Sequence, residues 1–216
     1  IFAPHDCYGG TYRLLNQLKL REVINAEFHN QLNEDFIEKI LSRKPKLVWI
    51  ETPSNPLLRI TDIVKITAAA HQVGTVVVID NTFLSPALQQ PLNLGADIVI
   101  HSTTKYINGH SDVVGGAVIA KSQEHFEYLK YWANCLGLTA SPFDSYLTLR
   151  GLRTLKARLA VHLANTKSIV NVLNAHQAVQ KIYYPGLKDH PGHTIDLTQQ
   201  SDFGAMISFE KKKKKN

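Results

Sequence analysis

Four short runs of apolar, mostly β-branched residues constrain the fold of this chain more than any other feature. Each run is continuous rather than alternating, which is typical of strands whose two faces are both buried. Strands of this kind occur in mostly parallel sheets that helices cover on both sides. The four runs are residues 46–51, 75–80, 97–101 and 116–120.

Helical patterns separate these runs. Residues 33–43 form one pattern, with Asn33 as the predicted cap and Pro45 beyond its end. Residues 61–73 form a second, which ends at Gly74. The alternation of strands and helices predicts an α/β fold with a mostly parallel sheet sandwiched by helices.

The pattern changes near Phe143, where a long helical stretch begins. Gly151 is its predicted point of interruption. The elements that follow would give a second α+β region with too few strands to close a sheet. They are a helix at 145–175, a strand at 179–184, a loop at 190–193 and a last strand at 204–210.

These patterns divide the chain into three predicted parts. Residues 1–150 form a large cofactor-binding domain, residues 151–210 begin a small C-terminal domain, and residues 211–216 are a lysine-rich tail. The first residues, Ile1 to Pro4, have the pattern of a strand already under way. We therefore expect the large domain to lack its N-terminal part.

Polar residues stand at the ends of three predicted strands. Glu51 and Asp80 close their runs, and Ser102 directly follows the third. The carboxyl ends of parallel strands meet at one edge of a sheet, where ligand sites of such folds collect. Lys105 comes shortly after Ser102. A lysine at the end of a core strand needs a chemical reason, because lysine is rarely buried without a partner.

Asp80 and Lys105 together meet the electronic needs of pyridoxal 5′-phosphate (PLP). A lysine amine forms a Schiff base with the cofactor aldehyde, and a carboxylate pairs with the pyridinium nitrogen. Taken alone, Asp80 is better interpreted as the cap of a helix or turn. With Lys105 at the next strand end, a PLP site becomes the favoured hypothesis.

Four other residues suit the same cofactor, each with a plain structural alternative. The hydroxyls of Ser102 and Thr104 point to one side of an extended segment and suit a phosphate, or belong to a surface turn. Asn55, held between two prolines, suits the ring hydroxyl or a simple proline turn. Tyr8 suits ring stacking and proton transfer or a place in the core. The glycine pair that follows Tyr8 predicts a tight turn where a strand meets a helix.

The charge distribution argues against a nucleic-acid partner. The formal net charge is +6, but the five lysines 211–215 account for most of it, and the remaining residues include 19 basic and 18 acidic side chains. Because residues 1–210 are nearly neutral in total, they carry no excess of basic side chains that would bind a phosphate backbone. No apolar run approaches the length of a membrane span, so we expect no membrane partner either.

The metal-binding and disulfide classes are also disfavoured. Cys7 and Cys135 are far apart, without ligand spacing, which favours reduced thiols in a cytoplasmic protein. His190 and His193 have no cysteine or carboxylate at ligand spacing, so a loop explains them better. His110 lies in a polar turn after Lys105 and is interpreted as supporting structure. We predict no metal.

Four segments together resemble the Cys/Met-metabolism family of PLP-dependent enzymes, and the resemblance covers nearly the whole chain to Glu210. The run that contains Lys105 is the most specific of them. Two further runs, 131–134 and 143–155, are most similar to the synthase branch of that family. The four segments are Tyr8-Gly9-Gly10-Thr11, Glu51-Thr52-Pro53-Ser54-Asn55-Pro56, Asp80-Asn81-Thr82-Phe83 and Ser102-Thr103-Thr104-Lys105-Tyr106-Ile107-Asn108-Gly109-His110-Ser111-Asp112.

The resemblance implies an aspartate-aminotransferase-like fold (fold type I) and a role for each site residue. Lys105 would hold PLP and later shuttle protons, and Asp80 would pair with its ring nitrogen. Tyr8 would stack on the ring and assist proton transfer, and Asn55 would bond the ring oxygen. Ser102 and Thr104 would bind the phosphate.

The resemblance also implies a reaction and an assembly. The reaction is γ-replacement, in which cysteine displaces the acyl group of O-succinylhomoserine to give cystathionine for methionine biosynthesis. Relatives perform γ- or β-elimination or sulfhydrylation with the same core residues, so these remain alternatives. The implied assembly is a homotetramer built from tight dimers.

Family features that bind phosphate and substrate carboxylate lie outside the residues present here. We therefore expect a truncated copy that is poorly soluble or lacks turnover. An inactive remnant that only associates with longer subunits is the alternative from another class. Nucleic-acid binding through the lysine tail is the third and least favoured hypothesis.

Overall fold

The computed structural model describes residues 1–212, and six strands in them form a central sheet. The sheet has the order β2-β1-β3-β4-β5-β6. Neighbouring strands are parallel from β2 to β5, and only β6 runs antiparallel to its neighbour. The predicted α/β class with a mostly parallel sheet is confirmed. The strands are β1 (Phe2–Pro4), β2 (Glu27–His29), β3 (Leu47–Glu51), β4 (Val76–Asp80), β5 (Ile98–Ser102) and β6 (Gly116–Ala120).

Helices alternate with these strands, and a second, two-stranded antiparallel sheet follows them. The helices are α1 (Gly9–Leu20), α2 (Phe36–Arg43), α3 (Ile63–Gln72), α4 (Ser85–Leu88), a 3₁₀ turn (Pro91–Leu94), α5 (Gln123–Cys135), α6 (Pro142–Arg153), α7 (Leu155–Ala175) and α8 (His193–Gln199). The second sheet pairs β7 (Val179–Tyr183) with β8 (Ser208–Lys211).

The main core lies between the central sheet and helices α2 and α3. Val48 and Ile50 of β3 and Val77 and Ile79 of β4 are fully buried, and Ile63 of α3 packs against them. Each such side chain contributes about 1.5–3 kcal/mol by leaving water. This rigid centre places the carboxyl ends of β3, β4 and β5 side by side.

Two predicted helix starts are corrected by the structure. Helix α2 begins at Phe36, and Asn33 only accepts the Phe36 N–H through its backbone carbonyl, so the prediction that Asn33 caps the helix is wrong. Helix α3 begins at Ile63 because the Asp62 carboxylate accepts the Lys65 N–H at 2.9 Å, which caps the helix.

The long helical stretch breaks at Thr154 rather than at Gly151. Gly151 lies inside helix α6 and is buried, while Thr154 separates α6 from α7. A glycine is needed at position 151 because α6 packs there directly against the backbone of Asn108. The predicted domain boundary between residues 150 and 151 falls within α6 and stays a proposal.

Strand β6 differs from the prediction that all four runs are buried on both faces. It is the edge strand, it pairs with β5 alone, and its residue Val118 is 53% exposed. The neighbouring Ile119 is also 39% exposed, so an apolar run does not by itself establish burial.

The C-terminal region holds one helix that the sequence patterns did not predict. Helix α8 follows the 190–193 loop and buries Asp196 and Gln199. The last strand is shorter than predicted and shifted toward the C-terminus, since β8 spans Ser208–Lys211. The predicted tail thus begins within β8, and residues 213–216 lie outside the described residues.

Helix α5 lies on the surface of the protein. Helix α5 has no buried residue, and its aromatic side chains Phe126, Tyr128, Tyr131 and Trp132 are all exposed. Among residues 1–212, no helix combines the length and the apolar character that crossing a membrane requires.

Candidate active site

A cleft of about 1020 Å³ lies at the carboxyl ends of β3, β4 and β5. The structure brings all six residues predicted for the site to its walls, although they come from segments far apart in the sequence. This convergence follows from the parallel topology, because each contributing strand ends at the same edge. The six residues are Tyr8, Asn55, Asp80, Ser102, Thr104 and Lys105.

Tyr8 occupies the position just before helix α1. Its backbone N–H donates to Glu51 Oε2 at 2.7 Å, and its side chain is 60% exposed along the cleft. A Cβ at Gly10 would lie 2.5 Å from Tyr8 Cε1, so Gly10 leaves room for the ring. Gly9 and Gly10 start the helix rather than form a separate tight turn, which corrects the sequence interpretation.

Asp80 is held by a short network that also fixes the end of β5. Its Oδ1 accepts hydrogen bonds from Thr82 N at 3.0 Å and from Thr82 Oγ1 at 2.6 Å. Thr82 Oγ1 in turn accepts from Ser102 N at 2.8 Å. One threonine hydroxyl therefore orients the carboxylate and ties strand β4 to strand β5.

We expect Thr82→Val to weaken PLP binding about tenfold, which corresponds to about 1.4 kcal/mol. Valine has nearly the same shape but neither donates to Asp80 nor accepts from Ser102 N, which leaves that N–H unpaired. Titration of the purified chain with PLP, followed by absorbance, measures the change. Thr82→Ser is the matched control and should bind within about threefold of the wild type; equal binding by the valine variant would contradict the network's role.

Lys105 lies in the turn after β5 and is exposed to the cleft. Within residues 1–212 its Nζ makes no hydrogen bond or ion pair. Lys105 therefore follows the core strand, as predicted, without being buried itself. The turn carries the side chain out of the sheet, and a free amine beside a cleft suits a nucleophile.

The other three residues predicted to bind the cofactor differ in whether their side chains already have hydrogen-bond partners. Asn55 is exposed at the cleft, on a loop tied down by Ser54 Oγ, which donates to Asp6 Oδ2 at 2.9 Å. The Thr104 hydroxyl accepts from Gly115 N at 3.1 Å and therefore already has a backbone partner. Ser102 lines the same wall and uses only its backbone N–H in the Asp80 network.

Glu51 is a site residue that the sequence interpretation missed. It is only 7% exposed, and burial raises the pKa of its carboxyl to about 7, with the nearby carboxylates Asp80 and Asp6 adding to the effect. It lies beside Asp80 in the register of β3 and β4. The available signal was its position, since Glu51 ends β3 just as Asp80 ends β4.

The three histidines without a predicted catalytic or metal-binding role, His110, His190 and His193, do not line the cleft. His110 Nδ1 lies 2.6 Å from the carbonyl of Asn108, and His193 Nδ1 lies 2.7 Å from the carbonyl of Pro185. His110 therefore supports the turn after Lys105, whereas His193 is the first residue of α8 rather than a loop residue and contacts the Pro185 backbone from there. Within the part of the chain that the structure describes, no group of three or more His, Cys, Asp or Glu side chains is arranged to hold a metal ion.

Comparison with known proteins decides the family. The sequence matches the family described as "Cys/Met metabolism PLP-dependent enzyme" over residues 1–216. The chain belongs to this family. Enzymes of the Cys/Met metabolism family use PLP, so the cofactor expected from Lys105 and Asp80 is confirmed.

Individual relatives agree with that assignment. Cystathionine γ-synthase of Escherichia coli is 54% identical over 210 residues, 97% of this chain and 54% of that protein. Cystathionine γ-lyase of Bacillus subtilis is 45% identical over 97% of this chain and 55% of that protein. The crystal structure of cystathionine γ-synthase from Xanthomonas oryzae pv. oryzae in complex with aminoacrylate and cysteine superposes with a TM-score of 0.96 at 55% identity, covering 98% of this chain and 55% of that one. The chain thus spans about half the length of these Cys/Met metabolism enzymes.

The residues of the cleft fit PLP in their chemistry. The cofactor needs an amine for its aldehyde, a carboxylate for its ring nitrogen and polar groups for its phosphate and ring oxygen. Lys105, Asp80, Asn55 and Ser102 supply these groups around a single cleft. The cleft, at about 1020 Å³, is slightly larger than the roughly 300–1,000 Å³ of typical small-molecule pockets, so it has room for a ligand of this size.

Proposed function

We propose that this cleft belongs to a PLP-dependent enzyme that catalyses γ-replacement on an acylated homoserine. The substrates are O-succinylhomoserine and L-cysteine, and the products are cystathionine and succinate, in methionine biosynthesis. The observation that carries the proposal is the convergence of an amine, a carboxylate, an amide, hydroxyls and a phenol on one cleft. The higher identity to a synthase than to a γ-lyase favours replacement over elimination.

We propose the following roles for the residues of this chain. Lys105 Nζ attaches the cofactor and, as a free amine, removes and returns substrate protons. Asp80, fixed by Thr82, pairs with the ring nitrogen. When bound, PLP supplies a ring that accepts electron density from the substrate Cα.

The other cleft residues bind and orient. Tyr8 stacks on the cofactor ring, and its phenol assists proton transfer. Asn55 donates to the ring oxygen, while Ser102 and Thr104 bind the phosphate. Glu51 accepts the Tyr8 N–H and thereby holds Tyr8 at the start of α1.

The overall bond changes balance without an outside oxidant or reductant. The Cγ–O bond of the acylated homoserine breaks, and succinate leaves with the electron pair. A Cγ–S bond to cysteine forms, and the thiol proton is released. Lys105 returns the protons that it removed from the substrate carbon atoms.

A product assay separates this reaction from the others of the family. Purified protein with PLP is given O-succinylhomoserine with and without cysteine, and the products are identified by mass spectrometry. Cystathionine formed only with cysteine supports γ-replacement. A keto acid and ammonia as the main products in both samples, or cleavage of added cystathionine, would instead assign a lyase.

We also propose that the chain's residues act within a larger cytoplasmic assembly. The exposed aromatic side chains of α5 support a protein contact, and we propose that this contact belongs to a homotetramer built from dimers. The proposed large and small domains would meet within α6. If purified protein shows neither cofactor binding nor turnover but joins full-length subunits in solution, the association-fragment alternative is favoured.

A further inference from the structure

The turn that carries Lys105 is fixed at both ends by backbone hydrogen bonds. Asn108 N donates to Thr103 O at 2.9 Å, and Gly109 N donates to Lys105 O at 2.8 Å. Since the Lys105 side chain has no polar partner within residues 1–212, the position of this turn sets the range that its flexible side chain lets Nζ reach. Whatever holds the turn therefore positions the amine.

Helix α6 touches this turn through backbone atoms. A Cβ at Gly151 would lie 2.1 Å from the carbonyl oxygen of Asn108 and 2.7 Å from its Cα. Because the nearest atoms belong to the Asn108 backbone, no flexible side chain could move aside to make room for a larger residue at position 151. The turn also connects to α6 through Asp112, whose carboxylate accepts from Asn108 Nδ2 at 2.7 Å and from Arg150 Nη2 at 3.2 Å.

The Arg158 guanidinium bridges the turn and the end of α6. Its Nη2 donates to Gly151 O at 2.7 Å and to Ile107 O at 3.3 Å, and its Nε donates to Thr154 Oγ1 at 3.0 Å. A cation at the last turn of a helix is favoured by the helix dipole. The planar guanidinium of arginine presents several donors in a fixed geometry and can bind two carbonyls at once. The lysine ammonium, on a flexible stem, holds two carbonyls in a less defined geometry.

Gly109 completes the contact. It has a φ of +74°, and a Cβ there would lie 1.9 Å from Arg158 Nη1. The guanidinium thus packs directly on the backbone at the end of the Lys105 turn. Arg158 also lines the cleft, although the sequence patterns gave it no role.

We propose that Arg158 is a positioning residue that holds the Lys105 turn against helix α6 and so sets the reach of the Lys105 amine. Arg158 acts through the Ile107 and Gly151 carbonyls and not on the reacting atoms. The inference rests on the proposed function only in so far as Lys105 is the reacting amine. The hydrogen bonds from Arg158 to the Ile107 and Gly151 carbonyls, which we call the Arg158 clamp, are a property of the folded chain.

The test compares Arg158→Met with Arg158→Lys and with Arg153→Met. The exposed Arg153 ends α6 without a side-chain hydrogen bond or ion pair in the described residues, so it is the matched control. Two measurements are made: amide hydrogen exchange at Asn108 and Gly109 without PLP, and kcat and KM for γ-replacement with PLP. The pH midpoint of the visible band of the lysine-bound cofactor is recorded in parallel.

Arg158→Met is expected to lose about tenfold or more of the exchange protection at both amides, because its clamp is gone. It is also expected to lose about 100-fold in kcat with little change in KM and to shift the pH midpoint, as a misplaced reacting group does. Arg158→Lys and added methylguanidine should restore part of each effect, and Arg153→Met should match the wild type.

Unchanged exchange at Asn108 and Gly109 in Arg158→Met would overturn the clamp. Lost protection with normal kcat and an unchanged pH midpoint would overturn the positioning role. If the wild-type chain binds no PLP, the proposed function fails for this chain, and the exchange measurement still decides whether Arg158 holds the turn.

Discussion

Lys105→Ala is expected to abolish the visible absorbance of the PLP-loaded chain and to lower γ-replacement turnover by at least about 10³-fold. The change removes the amine that we propose to hold the cofactor and to carry protons. It creates no buried cavity, because the side chain is exposed in the cleft. The folded state should therefore survive, and the loss should be chemical rather than structural.

The experiment follows absorbance during PLP titration and identifies the attached lysine by borohydride reduction and peptide mass spectrometry. Lys121→Ala is the matched control, since this exposed lysine lies just beyond β6 and outside the cleft walls. The control should keep both the band and the label on Lys105. A visible band that persists in Lys105→Ala would show that another amine holds the cofactor.

Asp196→Asn is expected to stabilise the chain at pH 8, by up to about 4 kcal/mol. Asp196 is 1% exposed, and neither carboxylate oxygen has a hydrogen-bond partner in the described residues. Burial, with a smaller contribution from Asp202, raises the pKa of its carboxyl from 3.8 to about 7. An ionised carboxylate without partners costs more to bury in this place than a neutral amide of the same shape.

The sign follows from the raised pKa. The folded state binds the proton more tightly than the unfolded state, so the stability contributed by protonated Asp196 is full below about pH 4. It is lost progressively as the pH rises to about 7 and then stays constant. The advantage of the asparagine variant should therefore be small near pH 4 and largest above pH 7.

Urea unfolding at pH 5 and pH 8 measures this difference. The exposed Asp189 lies on the preceding loop, and Asp189→Asn should change the free energy of unfolding by less than about 0.5 kcal/mol at either pH. An Asp196→Asn effect that is equal at both pH values would mean that its carboxylate is not the titrating group.

The parts of the site that were predictable from sequence share one property: each lies at the carboxyl end of a parallel strand or in the segment that follows it. Asp80 and Ser102 could be placed together because continuous apolar runs set the strands, and parallel strands share one carboxyl edge. Glu51 had the same signal but no assigned chemistry. Its environment depends on burial by neighbouring segments, which local pattern does not report.

The features that escaped prediction depend on contacts between distant segments. Gly151 has the local pattern of a helix breaker, yet it is needed where α6 meets Asn108. Arg158 has the pattern of an ordinary solvent-facing helix residue, and only the folded turn gives it carbonyls to bind. Helix α8 is short and polar, so its burial of Asp196 comes from tertiary packing.

The uncovered aromatic side of helix α5 gives the molecule an optical probe of its own. The chain has two tryptophans, and Trp132 on this helix is 45% exposed, whereas Trp49 lies within β3 of the central sheet. Self-association over α5 would move only the Trp132 indole from water into protein and shift its emission to shorter wavelength. Fluorescence of a Trp49→Phe protein would therefore follow subunit assembly by a signal separate from the cofactor's absorbance.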